Sequence, residues 1–412
     1  AGRRTHRMSA YHCFVQCTPG VEDVLKRELK ELGVGTKVNV TAGGLTVWAA
    51  RDALWTILTQ SLVADAIRIR VGATFVAHNF DQLRLGMSRV AAPLKAHVRN
   101  PSELKITVRS TRSSLWHTDA IEQRVAEALN GLEVDKAAFE ALKGEEAATS
   151  AHSEVHKAKG TTLGVRLSRN KVEVSVEAAS DLHLRGCKPY ASDTQLRETI
   201  AAACCSEAMA SRTDPSAPLR VWDPFCGSGT LLLESALLLG RRETGSALLP
   251  ARRPAAEGLQ IVRFASHNAA AYATFLDEAI ARASEPEPPA WQLFGSDLNP
   301  KAIKASRHNV NHGLGALARG VSILDPQDFE AAAAHVPTDT TILTNLPWNV
   351  RAPAETYGRV GKMFRARAEA GAPVFVVNGN QHFVAHSRCT WQTLLRFRVG
   401  GTPAHLLRLV PK

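Results

Sequence analysis

The sequence predicts an α/β protein, with two small α/β units in front and a doubly wound, mostly parallel sheet behind. Three observations predict it. Short apolar runs with period-two alternation are interleaved with stretches of helical spacing along most of the chain. From residue 219 onward, strand and helix signals alternate strictly. A turn carrying Gly227 and Gly229 joins a strand directly to a helix, as a ligand-binding crevice of such a sheet requires.

The first unit spans 9–75. "YHCFVQC" is a short strand. Val21, Val24, Leu25, Leu29 and Leu32 then fall on one helical face, and Gly33 stops the helix. "GGLTVWA" is a second strand, and Ala53, Leu54, Ile57, Leu58 and Leu62 mark a second helix. Ile67, Ile69 and Val71 alternate with Arg68 and Arg70, a strand with a basic outer face.

The second unit spans 76–185. Leu104, Ile106 and Val108 alternate, and "STRSSLWHTDA" leads into a helix with Ile121, Val125, Leu129 and Leu132 on one side. Residues 143–161 are polar and predict a surface insertion. "TLGVRLSRNKVEVSVEA" predicts a hairpin turning at Arg169-Asn170.

A connector, 186–212, carries one helix through "QLRETIAAACC", with Ser192-Asp193 as the expected cap. The third unit, 213–412, follows "TDPSAP". Its strands are expected at "LRVWD", "WQLFGSD", "GVSIL", "TTILTN" and "PVFVVN", with a final pair around Gly400-Gly401. Helices are expected over 230–240, 299–312 and 355–370. The insertion at 241–289 runs into a proline-rich spacer, "SEPEPPA".

With 412 residues the chain can hold two or three domains. No apolar run reaches the length of a membrane span, which predicts a soluble protein. The net charge of +11 favours a polyanionic partner. The excess sits early: residues 1–100 hold 14 Lys+Arg against 7 Asp+Glu, whereas 101–190 hold 13 of each. Seven cysteines form no CxxC pair and the 15 histidines no ligand spacing, which predicts free thiols, a reducing compartment and no metal. The Arg-rich, acid-free start "AGRRTHRMSA" reads either as the remnant of a mitochondrial transit segment or as a ragged terminus of a cytoplasmic protein.

The strand ends carry the chemistry. Asp223 ends the first strand of the third unit, just before the glycine turn. Asp297 ends the second, where a ribose diol is usually held, and Asp325 follows the third, placed to meet an adenine amine. Each alone could be a helix cap; in succession they predict a nucleotide-type site. A phosphate loop is excluded, since no G-x-x-x-x-G-K-[ST] is present. The fourth strand ends in "TNLPWNV". The Asn345 carboxamide can accept a hydrogen bond, the Leu346 carbonyl precedes Pro347, and Trp348 offers a flat face for a base. Two acceptors on the N–H groups of an exocyclic amine would aim its lone pair at a methyl donor, and a flipped-out base would reach such a pocket.

These segments together resemble the THUMP-domain RNA methyltransferases that make N2-methylguanosine, over nearly the whole chain. "DPFCGSGTLLLESA" is similar to that family's S-adenosylmethionine loop, "SDLNPKAIKASRHNV" to its ribose-binding segment and "TNLPWNVR" to its N-P-P-Y-G-x-R-type catalytic segment. "DLHLRGCKP" and "LRETIAAA" resemble the elements linking its two halves, and "KITVRSTRSSLWHTDAIEQRVAEAL" its THUMP core. The resemblance implies a ferredoxin-like domain at 9–75, a THUMP RNA-binding domain at 76–185 and a Rossmann-like class I methyltransferase at 213–412. It implies a cofactor site of Asp223, Pro224, Cys226, Gly227, Gly229, Asp297, Leu298, Asp325 and Asn345. Leu196, Arg197, Glu198 and Thr199 of the connector would lie close by. Asn345, Pro347 and Trp348 would hold the target guanine.

Arg68, Arg70, Arg109, Arg112 and Arg185 are the expected RNA contacts, with rRNA favoured over tRNA and a pre-ribosomal particle as the setting. The sequence departs from the family pattern at Cys187, Leu346 and Asn349. The changes at Cys187 and Asn349 bear on efficiency rather than fold. They motivate a second reading as an assembly factor that keeps the fold with little chemistry. Other readings are a tRNA guanine-N2 enzyme and, from the shared Asn-x-Pro-aromatic signature, an adenine-N6 DNA enzyme.

Overall fold

The computed structural model describes residues 10–35, 38–98, 104–129, 161–190, 196–211, 219–244, 259–282, 289–347 and 354–411. Two sheets organise them. The front sheet contains β1 (Tyr11–Gln16), β2 (Val38–Thr41), β3 (Gly44–Ala49), β4 (Ala66–Arg70), β5 (Phe75–Val76), β6 (Lys105–Thr111), β7 (Thr162–Ser168) and β8 (Lys171–Ala179). Its order is β2-β3-β1-β4-β8-β7-β6, with β5 added against β8. Only β6 and β7 run parallel, so the sheet is mixed. It is continuous across residue 75, because β4 pairs with β8.

The alternation that predicts these strands decides which side is buried. Cys13 and Val15 of β1, Leu45 and Val47 of β3 and Ile67 and Ile69 of β4 are essentially inaccessible. Helices Glu22–Glu31 and Arg51–Gln60 bury Leu25, Leu29, Leu54 and Ile57 in the same cluster. The hairpin turns at Arg169 (φ 50°) and Asn170 (φ 64°), paired left-handed residues whose twist matches that of the strands. Strands β2 and β5 and one helix escape the periodicity reading. Strand β2 forms its own hairpin with β3. Helix Phe80–Leu94 has Leu83, Met87, Val90 and Leu94 at helical spacing behind an Asn79 cap, but Gly86 and Pro93 obscure it. Residues 143–160 of the expected polar insertion lie outside the described residues.

The connector helix runs Glu198–Ala210. It starts later than its sequence suggests, behind an extended Arg197; Ser192 and Asp193 lie outside the described residues. The rear sheet has the order β11-β10-β9-β12-β13-β15-β14. Its strands are β9 (Arg220–Asp223), β10 (Gln292–Gly295), β11 (Val321–Ile323), β12 (Thr341–Asn345), β13 (Val374–Asn378), β14 (Thr390–Val399) and β15 (Thr402–Val410). The first five in spatial order are parallel, and β15 and β14 complete the sheet antiparallel. Both faces are covered: Leu343 and Phe375 enter one core cluster, while Trp222, Ile342 and Val376 enter the other. Within the insertion at 241–289, helix Ala269–Arg282 appears, which the sequence reading leaves unassigned.

One apolar cluster runs from β1 to β15 and unites the two halves. Buried ion pairs cross the same boundary. Glu28 meets Arg241 at 2.7 Å and accepts from Ser61 Oγ (2.6 Å) and the Leu62 amide (2.8 Å). Arg241 also donates to the Gln60 carbonyl at 3.0 Å. Trp55 packs edge-on to Tyr272, ring centroids 5.1 Å apart. The front half is therefore anchored to the rear half, and the angle between them is set by packing.

Candidate functional site

The order of the rear sheet reverses at β9, whose neighbours are β10 and β12. That switch opens a crevice at the carboxyl edge. Parallel register brings the strand ends level, with Gly295 beside both Asp223 and Ile323, and Asn345 beside Val377.

Between β9 and helix Thr230–Thr244 the chain makes its tight turn. Gly227 and Gly229 take φ of 54° and 85°, and a Cβ on Gly229 would lie 2.8 Å from Ser306 Oγ. The Cys226 amide donates to the Ser296 carbonyl (2.9 Å) and the Gly227 amide to Asp297 Oδ2 (3.0 Å), which staples the turn to the end of β10. Pro224 and Cys226 are buried under the turn. Asp297 Oδ1 accepts from the Asn299 amide at 2.8 Å, and Asn299 in turn caps helix Pro300–Gly313 by accepting from the Lys301 amide at 2.9 Å. Asp297 is half-exposed, and its carboxylate keeps acceptor positions beyond these two. Leu298 beside it is 69% exposed. Asp325 lies at the rim and is engaged by Arg307 at 2.7 Å.

Asp223 is the buried centre of this edge, 2% exposed. Its Oδ1 accepts from Thr344 Oγ1 (2.6 Å) and the Phe225 amide (3.1 Å). Burial pushes its pKa up to about 7, with the nearby Asp297 charge adding to the effect and the two hydrogen bonds opposing it. Thr344 ties β12 to β9 and so places Asn345, the next residue, at the crevice. Asn345 Oδ1 is buried and has no hydrogen-bond partner among the described residues.

Pro347 is exposed, and its carbonyl accepts from Tyr357 Oη at 3.2 Å. Tyr357 Oη accepts in turn from Asn380 Nδ2 (2.9 Å), and Asn380 exchanges hydrogen bonds with Asn378 at the end of β13. Thr344, Tyr357, Asn378 and Asn380 are site residues that the sequence reading missed. The available signal was "VVNGN", a second strand ending in carboxamides. Trp348 and Asn349 lie outside the described residues.

The connector residues divide. Thr199 is 1% exposed and donates to Asp65 Oδ1 at 2.6 Å, so its hydroxyl joins the front half instead of opening into the crevice. Leu196 is buried, and Arg197 is exposed near Asp65. Glu198 pairs with Lys188 at 2.6 Å, and Lys188 donates to Thr230 Oγ1 at 3.0 Å, at the start of the helix behind the glycine turn. Lys188 is a further residue that spacing did not reveal.

The five arginines also divide. Arg68 and Arg70 sit half-buried on the open face of the front sheet, and Arg109 and Arg112 are exposed beside them. Arg185 is elsewhere. It is 2% exposed, pairs with Glu234 at 3.2 Å and donates to the carbonyls of Leu182 and Leu62. With its fork filled, it is a strut between the halves and is closed to RNA in this fold. Cys187 is buried against Gly313, where a Cβ would collide with the Cys187 backbone. Among the described residues no group of three or more His, Cys, Asp or Glu could hold a metal ion, and no helix is long and apolar enough to cross a membrane.

A family model described as an RMKL-like methyltransferase domain, UPF0020, matches residues 185–401, the segment that holds every strand end described above. The chain belongs to the RMKL-like methyltransferase family. An RlmL ferredoxin-like domain matches residues 12–67. The chain is 25% identical over 401 residues to Ribosomal RNA large subunit methyltransferase K/L of Syntrophotalea carbinolica, covering 96% of this chain and 53% of that protein. It thus spans about half the length of this curated relative. Among solved structures it is similar to SMU.472 in complex with SAH (TM-score 0.75, 16% identity, 98% of this chain and 99% of that one). It is also similar to TrmN from Thermus thermophilus (TM-score 0.61, 16% identity, 97% and 99%). At these identities the likeness to both structures is one of fold.

The RMKL-like methyltransferase uses S-adenosylmethionine, which supplies an electrophilic methyl group when bound. The residues present fit that cofactor. A cationic ligand suits a crevice with Asp223 at its floor, and a diol suits the spare acceptor positions of Asp297.

Proposed function

We propose that this RMKL-like methyltransferase acts on RNA and methylates the N2 amine of a guanine, with large-subunit ribosomal RNA as the substrate. The observation that carries this reading is Asn345 Oδ1, a buried acceptor with no partner among the described residues, beside the Asp223–Thr344 pair. An orphaned acceptor costs a fold about 1–3 kcal/mol, and a fold keeps one where a ligand supplies the donor. An exocyclic amine supplies N–H donors. Its lone pair is delocalised into the ring, so it reacts only when held in line with the methyl group.

In this reading Asn345 grips one N–H. The Pro347 segment is anchored through Tyr357 to Asn380, and Trp348, which lies outside the described residues, is the aromatic assigned to stack the base. Asp223 Oδ2 is left for the cofactor, since both donors end on Oδ1. Pro224, Cys226, Gly227 and Gly229 shape the turn beneath it. Asp297 takes the ribose hydroxyls, with Leu298 and Asp325 at the adenine rim. Thr199 acts at one remove, by holding the connector to Asp65. As the N–C bond formed, the S–C bond to the methyl group would break and leave a neutral thioether; the cationic amine would then release a proton to solvent, with the carboxamide orienting it and taking no proton.

The basic front half, read as ferredoxin-like and THUMP units, supports RNA as the substrate, as do the relatives named for rRNA. The test is a large-subunit rRNA transcript lacking modifications, incubated with radiolabelled cofactor and digested to nucleosides. Label in N2-methylguanosine is expected. Bound cofactor with no methylguanosine would overturn the reading, and label in N6-methyladenosine would replace it with amine transfer to adenine.

A further inference from the structure

The front sheet buries one face under helices, whereas its other face is open and unevenly charged. Cross-strand register places the residues of this face in rows. Trp48 stands opposite His12, and Phe14 opposite Arg68. Trp48 is 53% exposed, yet its ring stacks on His12 at 4.2 Å with planes 4° apart. An exposed, rigidly held indole of this kind is a large apolar surface left facing water.

Four and five strand steps from β3, Arg166 of β7 and Arg109 of β6 stand side by side in parallel register, both exposed. Among the described residues neither is ion-paired with a carboxylate. Glu173 stands across from Arg166, but Arg70 takes it at 3.0 Å. Burial, opposed by Glu177, holds the pKa of Arg68 below its ordinary value, and the charges of Arg109 and Arg166 lower it further. Like charges on adjacent strands work against the fold. Two such cations on the same face as an exposed aromatic ring suit a polyanion with flat bases.

We propose that this open face is a docking platform for single-stranded RNA, with Trp48 stacking a base and Arg109 and Arg166 holding phosphates. The proposal rests on the reading of the substrate as RNA and names the part of it that the front half grips. From β3 to β6 the face is five interstrand steps wide, about 24 Å, enough for a single strand of about four nucleotides. A duplex hides its bases in the stack, so an indole platform selects unpaired RNA. The platform belongs to a sheet anchored rigidly to the catalytic half, so it would fix which unpaired guanine reaches the crevice.

The test measures binding of a fluorescent single-stranded RNA 12-mer, and of the same sequence as a duplex, to the full chain. Trp48→Ala should weaken single-strand binding about tenfold, a typical value for loss of one stacked base, and Trp48→Phe should restore most of it. Arg109→Gln with Arg166→Gln should reduce the slope of log K against log salt by about 1.4, about 0.7 for each phosphate contact. All three positions are exposed, and circular dichroism would confirm that the variants fold. If wild type binds RNA but Trp48→Ala and the double arginine variant bind equally well, this inference fails while the RNA substrate stands. If only the arginines matter, the face is a plain polyanion surface and the platform is refuted. If wild type binds no RNA, both readings fall.

Discussion

Replacing Asp223 with asparagine separates what the carboxylate costs the fold from what it gives the reaction. Both hydrogen bonds to this residue end on Oδ1, from Thr344 and the Phe225 amide, so the asparagine carbonyl can keep them. What is lost is the charge. Burial raises the carboxyl from its ordinary 3.8 to about 7. At about 1.4 kcal/mol per pH unit this corresponds to about 4 kcal/mol of stability withheld once the group ionises.

The sign follows from proton counting. Between these two values the folded state binds more protons than the unfolded state, so stability falls as pH rises through the window and levels off above about 7. Asp223→Asn lacks that decline. Its advantage in a urea titration should grow from about 2 kcal/mol at pH 5 to about 4 kcal/mol at pH 8. For a chain of 412 residues, with an unfolding entropy of about 2 cal/mol/K per residue, the melting point at pH 8 should rise by about 5 °C. Methyl transfer and cofactor affinity should fall together in the same variant. A stability difference that stays constant with pH, or a variant less stable at every pH, would refute the assignment of a high carboxyl pKa and the role drawn from it.

Other expectations follow from the same geometry. Asn345→Ala should reduce turnover by about a hundredfold, in the range of lost transition-state hydrogen bonds, while cofactor affinity measured by calorimetry stays within about twofold. Tyr357→Phe removes the donor to the Pro347 carbonyl and should lower turnover more than cofactor affinity, as steady-state kinetics would show. Glu28→Ala strands Arg241 between the halves and should destabilise the chain by about 3–5 kcal/mol in denaturant titration. Although burial opposes it, Arg241 together with the Ser61 and Leu62 hydrogen bonds holds the Glu28 carboxyl below its ordinary 4.5. That contribution is therefore complete above pH 4.5 and is lost on further acidification. Arg185→Ala should lower the melting point and leave the salt dependence of RNA binding unchanged, because the side chain is a buried strut.

The strand-end acids and carboxamide of the crevice were legible because each combines a local pattern with a fixed place in an alternating α/β chain. Asp223, Asp297, Asp325 and Asn345 end or follow apolar runs, and parallel register must then bring them to one edge. Thr344, Tyr357, Asn378 and Asn380 were not legible in the same way. Their roles depend on hydrogen bonds between strands or across segments, and an isolated threonine or tyrosine has no spacing to announce it. The helix Phe80–Leu94 was obscured by Gly86 and Pro93, which tertiary packing overrides.

Charge shows the division most plainly. The sequence alone determines the number of arginines on the front strands and that β4 alternates apolar with basic residues, because a strand's period of two is local. Whether a given arginine meets solvent or a buried acid depends on which strands become neighbours. Arg109 and Arg166 are brought together by the parallel pairing of β6 with β7, across a long stretch of chain. Arg185, as basic in the sequence as either, is sealed between Glu234 and the Leu62 carbonyl once the halves pack. Local periodicity set the elements and the chemistry at the strand ends; long-range packing decided which charges face solvent and which hold the two halves at one angle.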